Sequence, residues 1–252
     1  MVAAEAGAFL KWRFVHRGLK AQYFDHRAEL RALQSALSRP DIAVDIGAHK
    51  GRYLWSLSRA VPAGRAVAFE PQPFLADYLL RACRSAGLTN VVIEATGVSS
   101  RSGKLTLAVI NQGTHSHGAS FEAALAEQHD CRYVEVPVVS LDEYFSGEKA
   151  KIGAIKIDVE GHELSVLQGA TGVIDAHRPT IVCESEDRHK NAGHVAAVLD
   201  FMSARNYRGY FLAGSRWRPA AEFDPRLHQR SDGDRFWQAP DYFNTFLFVP
   251  LG

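Results

Sequence analysis

The chain has 252 residues, is 46% hydrophobic and carries a formal charge of +1; that suffices for one α/β domain with additions and gives no field with which to gather nucleic acid. No run approaches the roughly 20 apolar residues that span a bilayer, and the opening segment, with Glu5 and a short apolar run, is unlike a secretory leader. Cys83, Cys131 and Cys183 are odd in number and far apart, the pattern of buried free thiols in a reducing compartment, so the cytoplasm is expected, with neither membrane nor nucleic acid as partner.

Residues 1–38 read as helical, with Leu30, Leu33 and Leu37 at helical spacing and Pro40 as the stop. Residues 1–40 are therefore expected to form an N-terminal helical extension that caps the main domain and offers a surface for homo-oligomers. Its basic residues Lys11, Arg13, Arg17 and Lys20 read as a solvated helix face. From residue 41 to 252 strands and helices alternate. "DIAVDIG" is a strand, and "RYLWSLSRAV" puts Tyr53, Leu54, Leu57 and Val61 on one helical stripe. "RAVAFEP" is a strand, and "PFLADYLLRACRSAGL" is a helix with Pro73 near its start and Gly87 at its C-terminal cap. "NVVIEATGV" and "KLTLAVI" follow as strands. A polar segment at 111–130 then holds His115 and His117, with no cysteine or carboxylate at a familiar zinc spacing, and reads as a substrate-facing insertion. Strands "RYVEVPVVSL" and "IGAIKIDVEG" lead into a helix over "HELSVLQGATGVIDAHR". Strand "TIVCESE", helix "HVAAVLDFMSARN" and strands "YRGYFLA" and "NTFLFVP" close the chain. This rhythm predicts a single α/β domain on a mostly parallel, doubly wound sheet with an antiparallel edge.

The loop "DIGAHKG", residues 45–51, sits where such a sheet binds its ligand. It lacks the Lys-Ser/Thr pair that a triphosphate loop places after its last glycine. It also puts His49 where a dinucleotide loop needs glycine, and Asp45 where a pyrophosphate would be repelled. S-Adenosylmethionine suits it better, because the ammonium and sulfonium favour an acid at Asp45 while backbone and helix start face the carboxylate. Glu70, at the end of the next strand in "AFEP", is placed to accept ribose hydroxyls.

The second unusual stretch is "AIKIDVEGHE", residues 154–163. Lys156, Asp158 and Glu160 alternate with apolar residues and share one face if the strand continues that far, and buried ionisable groups need partners. A hydroxyl attacking a sulfonium methyl needs in-line placement and a proton acceptor within hydrogen-bond reach. Asp158, Glu160 and His162 are the nearest candidates, and Glu184 and Glu186 end the following strand. No metal is predicted, although Asp158 and Glu184 end adjacent segments of the pattern. Phe236, Trp237, Tyr242 and Phe243 suit either a sugar platform or the core.

"VDIGAHKGRY", "AFEPQP", "VVSLDEYF", "IKIDVEGHE", "VLQGA" and "NTFLFVP" occur in this order, and over roughly residues 41–250 the chain resembles the FkbM-type methyltransferases. That resemblance implies the class I methyltransferase (Rossmann-like) fold and S-adenosylmethionine-dependent O-methylation of a hydroxyl on a sugar, glycosylated or polyketide-type metabolite. It makes Asp45, Gly47, Gly51 and Glu70 the cofactor shell, with Ala48, His49, Tyr53 and Pro71 as flanking contacts and Asp158 at the edge of both pockets. The family commonly has asparagine where this chain has His49. Two other readings are a nucleotide-cofactor oxidoreductase and a non-catalytic cofactor-binding protein of the same fold.

Overall fold

The computed structural model describes residues 2–110, 119–122, 130–189, 193–230 and 236–251. Helix α1 (Val2–Lys20) runs through a π-helical turn (Ala21–Asp25) into α2 (Arg27–Ser35). Strand β1 (Ile42–Ile46), α3 (Leu54–Ala60), β2 (Arg65–Phe69), α4 (Pro73–Ser85) and β3 (Val91–Glu94) then alternate. After α4, Gly87 takes φ +72°, and Leu88 N–H reaches back to the Cys83 carbonyl, closing the helix as a glycine-terminated turn does.

Strands β4 (Gly97–Val98), β5 (Gly103–Ile110), β6 (Ala119–Ser120) and β7 (Cys131–Val139) form a small separate sheet in the order β4-β7-β5-β6. The chain returns through α5 (Leu141–Tyr144), β8 (Ile152–Ile157), α6 (Glu163–Gln168), α7 (Thr171–His177), β9 (Thr180–Glu184) and α8 (His194–Ser203). It ends with β10 (Tyr207–Ala213), β11 (Arg216–Pro219), α9 (Pro225–His228) and β12 (Thr245–Pro250). The main sheet has eight strands in the order β11-β10-β12-β9-β8-β1-β2-β3. Pairing is parallel from β9 to β3 and antiparallel from β9 outward through β12, β10 and β11, the mostly parallel sheet with an antiparallel edge that the sequence pattern predicts.

Alternation along the central strands sorts two cores. Ile42, Val44, Ile46, Val67, Phe69, Ile155 and Ile157 face one layer of helices, α6 to α8. The opposite face presents Ala43, Ala66, Ala68 and Ala154. Those small side chains let α1 to α4 approach closely, and Phe14, Leu30, Leu33, Leu54 and Leu79 fill the space.

Three details differ from the sequence expectation, each through contacts between distant residues. The strand around "IKIDVEG" stops at Ile157, so Asp158 and Glu160 lie in the turn beyond it, and Glu160 adopts φ +51°. The helix expected over 162–178 breaks at Gly169, where a Cβ would sit 2.1 Å from the Ser99 carbonyl oxygen. The run at 90–98 divides between the two sheets. The insertion expected at 111–130 lies outside the described residues apart from 119–122 and 130, and so do His115 and His117. Cys83 and Cys183 are buried free thiols, whereas Cys131 is half-buried.

Gly51 shows how tightly the N-terminal helix is fitted. It has φ +73°, and a Cβ there would come within 2.6 Å of the Phe14 ring. Phe14 is itself fully buried. Phe14→Ala is expected to lower stability by about 3–5 kcal/mol, read as a shift of the urea midpoint; an unchanged midpoint would mean that α1 is not packed on the sheet.

Candidate active site

At the centre of the sheet the strand order reverses: β2 and β3 lie to one side of β1, β8 and β9 to the other. The crevice opened by such a reversal is the usual ligand position of a doubly wound sheet. Here it holds a cavity of about 350 Å³, within the span of small-molecule sites, roughly 300–1,000 Å³.

Register assembles the charged floor of this crevice. Asp45 lies beside Lys156, Lys156 lies beside Val182, and Glu184 is two residues beyond Val182 on the same face. The Lys156 ammonium, in a residue only 3% exposed, is 3.5 Å from Asp45 Oδ1 and 3.4 Å from Asp158 Oδ2. It donates to the Gly47 carbonyl at 3.1 Å and stands 5.2 Å from the centre of the Tyr53 ring. Burial alone would lower this lysine's pKa; Asp158, Asp45 and Glu184 more than offset it, and the net shift is upward. The lysine is therefore a permanent cation. Burial pushes the acids the other way: the Asp45 carboxyl is raised by it with partial relief from Lys156, and Glu184 is raised well above the usual range by burial and then by Asp158.

Gly47 makes this geometry possible. Its φ is +74°, and a Cβ there would lie 1.8 Å from the Asp158 carbonyl oxygen. The ends of β1 and β8 thus approach more closely than any side chain allows, which brings the Gly47 carbonyl within reach of Lys156.

Glu70, just past β2, faces the same cavity. One carboxylate oxygen accepts from His49 N–H at 2.8 Å and the other from Gln72 N–H at 3.0 Å. Burial raises its pKa to about 7 despite those bonds. On the far wall Glu186 accepts from Tyr242 Oη at 2.5 Å and from Asn244 Nδ2 at 2.9 Å, and is paired with Arg188. The Arg188 guanidinium lies 5.4 Å from the Trp237 ring centre, and Arg188, Trp237 and Asn244 all line the cavity.

Of the residues expected in the site, Gly47, Ala48, His49, Tyr53, Glu70, Pro71, Asp158, Glu160 and Glu184 line the cavity. Three do not, and each has another task. Asp45 is 1% exposed and lies beneath Lys156, with neither oxygen in a hydrogen bond. Gly51 makes room for Phe14. The buried ring of His162 meets Ser99 Oγ through Nε2 at 2.9 Å and Glu122 through Nδ1 at 2.8 Å, so both nitrogens are engaged away from the cavity. Glu163, next in the string, accepts from Gly161 N–H at 2.8 Å and pairs with His194 at 2.7 Å.

Sequence reasoning treated Lys156 as an ion-pair partner and passed over Arg188. The pairing of the lysine with Asp45 depends on the register of two strands distant in sequence, and nothing in the local sequence distinguishes Arg188. Among the described residues no group of three or more His, Cys, Asp or Glu side chains is arranged to hold a metal ion.

The state of Glu70 gives a test. A carboxyl whose pKa is higher in the folded chain stabilises the fold below the unfolded value of 4.5 and loses that contribution as pH rises through about 7. Wild type is thus expected to lose about 3 kcal/mol relative to Glu70→Gln between those two pH values, measured by paired denaturation curves; parallel curves would show that Glu70 is not held in this way.

A model of the methyltransferase FkbM domain matches residues 45–209. The hexuronic acid methyltransferase AglP of Haloferax volcanii is 30% identical over 157 residues, which cover 61% of this chain and 59% of that protein; the chain thus spans less than two thirds of this relative's length. Among solved structures, the FkbM methyltransferase of Methylobacillus flagellatus KT aligns with a TM-score of 0.54 at 18% identity, over 84% of this chain and 44% of the other. An O-methyltransferase of Bacillus cereus in complex with SAH aligns with a TM-score of 0.51 at 14% identity, over 96% and 90%. At such identities these two structures speak to the fold, which is that of the class I methyltransferases. With the family model spanning well over half of its length, the chain belongs to the FkbM methyltransferase family.

Proposed function

We propose that the protein is an S-adenosylmethionine-dependent O-methyltransferase that transfers a methyl group to a hydroxyl of a small sugar-type acceptor. The observation that carries this reading is the joint exposure of Glu70 and the Lys156 cluster to one cavity at the strand reversal. Family membership removes the oxidoreductase alternative.

The residues present fit the cofactor. Each Glu70 oxygen takes one backbone N–H, which leaves acceptor capacity on both for the two hydroxyls of a ribose. Asp45, Asp158 and Glu184 surround a single lysine cation, so carboxyl groups outnumber cations in the floor, which suits a positively charged ligand. When bound, the cofactor supplies an electrophilic methyl group on a sulfonium. The chain's part is to bind, to align and to take a proton.

Glu184 is the group we assign to the proton. Its carboxyl faces the cavity, and burial followed by the neighbouring Asp158 raises its affinity for a proton, which suits a group that must take one. With the cofactor bound, a Glu184 oxygen would take the proton of the acceptor hydroxyl as the methyl passes from sulfur to oxygen, its carbon–sulfur bond breaking to leave a neutral thioether. Asp158, whose side chain is one-third exposed, stands between this acid and the Gly47 loop and orients the acceptor through a hydrogen bond. His162 has no part in the chemistry. On the outer wall, the Trp237 face offers an apolar platform for a sugar ring, and Arg188 and Asn244 offer polar contacts at its edge. The printed activity of the Haloferax relative, on a hexuronic acid, supports an acceptor of this class.

Calorimetric titration with S-adenosylhomocysteine is expected to show micromolar binding, weakened about tenfold or more by Glu70→Ala, a loss of at least about 1.4 kcal/mol. Transfer to a panel of hexuronic acids and hexoses should fall about 10²–10⁴-fold in Glu184→Gln, well beyond its loss of cofactor affinity. Wild type that binds no S-adenosylhomocysteine would overturn the reading. Binding without transfer to any oxygen acceptor would leave a cofactor-binding protein in its place.

A further inference from the structure

Five of the twelve large apolar side chains exposed among the described residues fall in one stretch of 16 positions: Phe9, Trp12, Leu19, Tyr23 and Phe24. With exposed His16, four of them follow one another at intervals of three and four residues, the spacing that places side chains on a single helix face. Trp12 is 60% exposed and Phe24 77%. The rings at positions 9, 12 and 16 stack along the helix, with centroids 6.4 and 5.2 Å apart. This face points away from the sheet, because Phe14, Gly18 and Ala21 occupy the packed side of α1.

The charges along this stripe are predominantly basic. Lys11, Arg13 and Lys20 are exposed, and from residue 6 to 24 there is no acid; the first, Asp25, is paired with Lys20 at 2.9 Å. The neighbouring loop adds Lys50 and Arg52. The pKa of Lys50 is lowered by partial burial and then by Arg17, Arg13 and Arg52, as expected where positive charge is concentrated.

We propose that α1 and the π-helical turn after it form a docking surface for an anionic lipid bilayer, with the aromatic stripe lying in the interface and Arg13, Lys11 and Lys20 against the headgroups. No described helix is long and apolar enough to cross a membrane. Lying on one requires only a single apolar face with basic flanks and interfacial aromatic rings, the composition found here. A second copy of the chain fits this face less well. Parallel pairing of two such stripes gathers the basic flanks of both copies into one seam, and like charges in such a position oppose association. Acids lie only at positions 5 and 25, near the ends of that seam, and Asp25 is already paired with Lys20. An anionic surface is complementary to the same residues.

The test is sedimentation of the full chain with vesicles of phosphatidylcholine alone and with added phosphatidylglycerol. Binding is expected to be about tenfold or more tighter to the anionic vesicles and to weaken as salt shortens the screening length. Trp12→Ser with Phe24→Ser, and separately Arg13→Gln with Lys20→Gln, should each lower it about tenfold while leaving the urea midpoint unchanged, since all four side chains are exposed. Absence of vesicle binding would overturn the proposal, as would binding indifferent to both double variants. So would a wild-type dimer in sedimentation equilibrium that Trp12→Ser dissolves without any vesicle binding.

Discussion

A buried ammonium at the point where the sheet reverses is the constraint around which the site is built. An ion of this kind costs several kcal/mol to bury unless it is paired and hydrogen-bonded. Lys156 meets that condition with two carboxylates at 3.4–3.5 Å and one carbonyl at 3.1 Å. The carbonyl belongs to Gly47, and it is reachable because a residue without a side chain lets the backbone of Asp158 pass beside it. The glycine of the loop and the lysine of the strand thus solve one packing problem together. The carboxyl groups gathered around the lysine give the floor of the cavity its polarity.

The turn after β8 does a different job. Glu160 and Gly161 both take positive φ, and such a turn persists where its surroundings hold it. Glu163 caps the Gly161 N–H and is held by His194. His162 ties the turn to Ser99 at the end of β4 and to Glu122, while Ser120 Oγ donates to the Glu160 carbonyl at 2.6 Å. These bonds attach the small sheet to the large one. They also place Gly97, Val98, Leu107 and Phe121 as a wall of the cavity. The most distinctive string of the sequence therefore contributes two kinds of residue: Lys156 and Asp158 face the ligand space, and His162 and Glu163 hold its wall in position.

What the sequence made legible follows from range. The strand–helix alternation, the antiparallel closing strands and the acids at the ends of β1, β2 and β9 are local or periodic features, and they were readable. Lys156 was readable as a buried charge in need of partners. The breaking of one helix into α6 and α7 was not, because it depends on Gly169 meeting Ser99 some 70 residues earlier. For the same reason His162 looked like a base. Its partners, Ser99 and Glu122, are 63 and 40 positions away, and a histidine in a loop after a strand carries no mark of whether its nitrogens are already engaged.

The N-terminal helices show the same point from the other direction. The family match begins at residue 45, and the sequence suggests that what precedes it is an extension. Yet His26, at the start of α2, hydrogen-bonds Tyr53 Oη at 2.9 Å and meets Arg52 at 3.0 Å, and both partners line the cavity. Buried Glu29, bound to the same histidine at 3.0 Å, adds to the field that raises Glu184. Phe14 accounts for the second glycine of the loop. The segment outside the family boundary therefore sets the position of Tyr53 over Lys156 and part of the charge felt by Glu184. A boundary drawn from sequence similarity holds most of the residues that carry the site, whereas the electrostatics of the site extend to the helices packed against its strands.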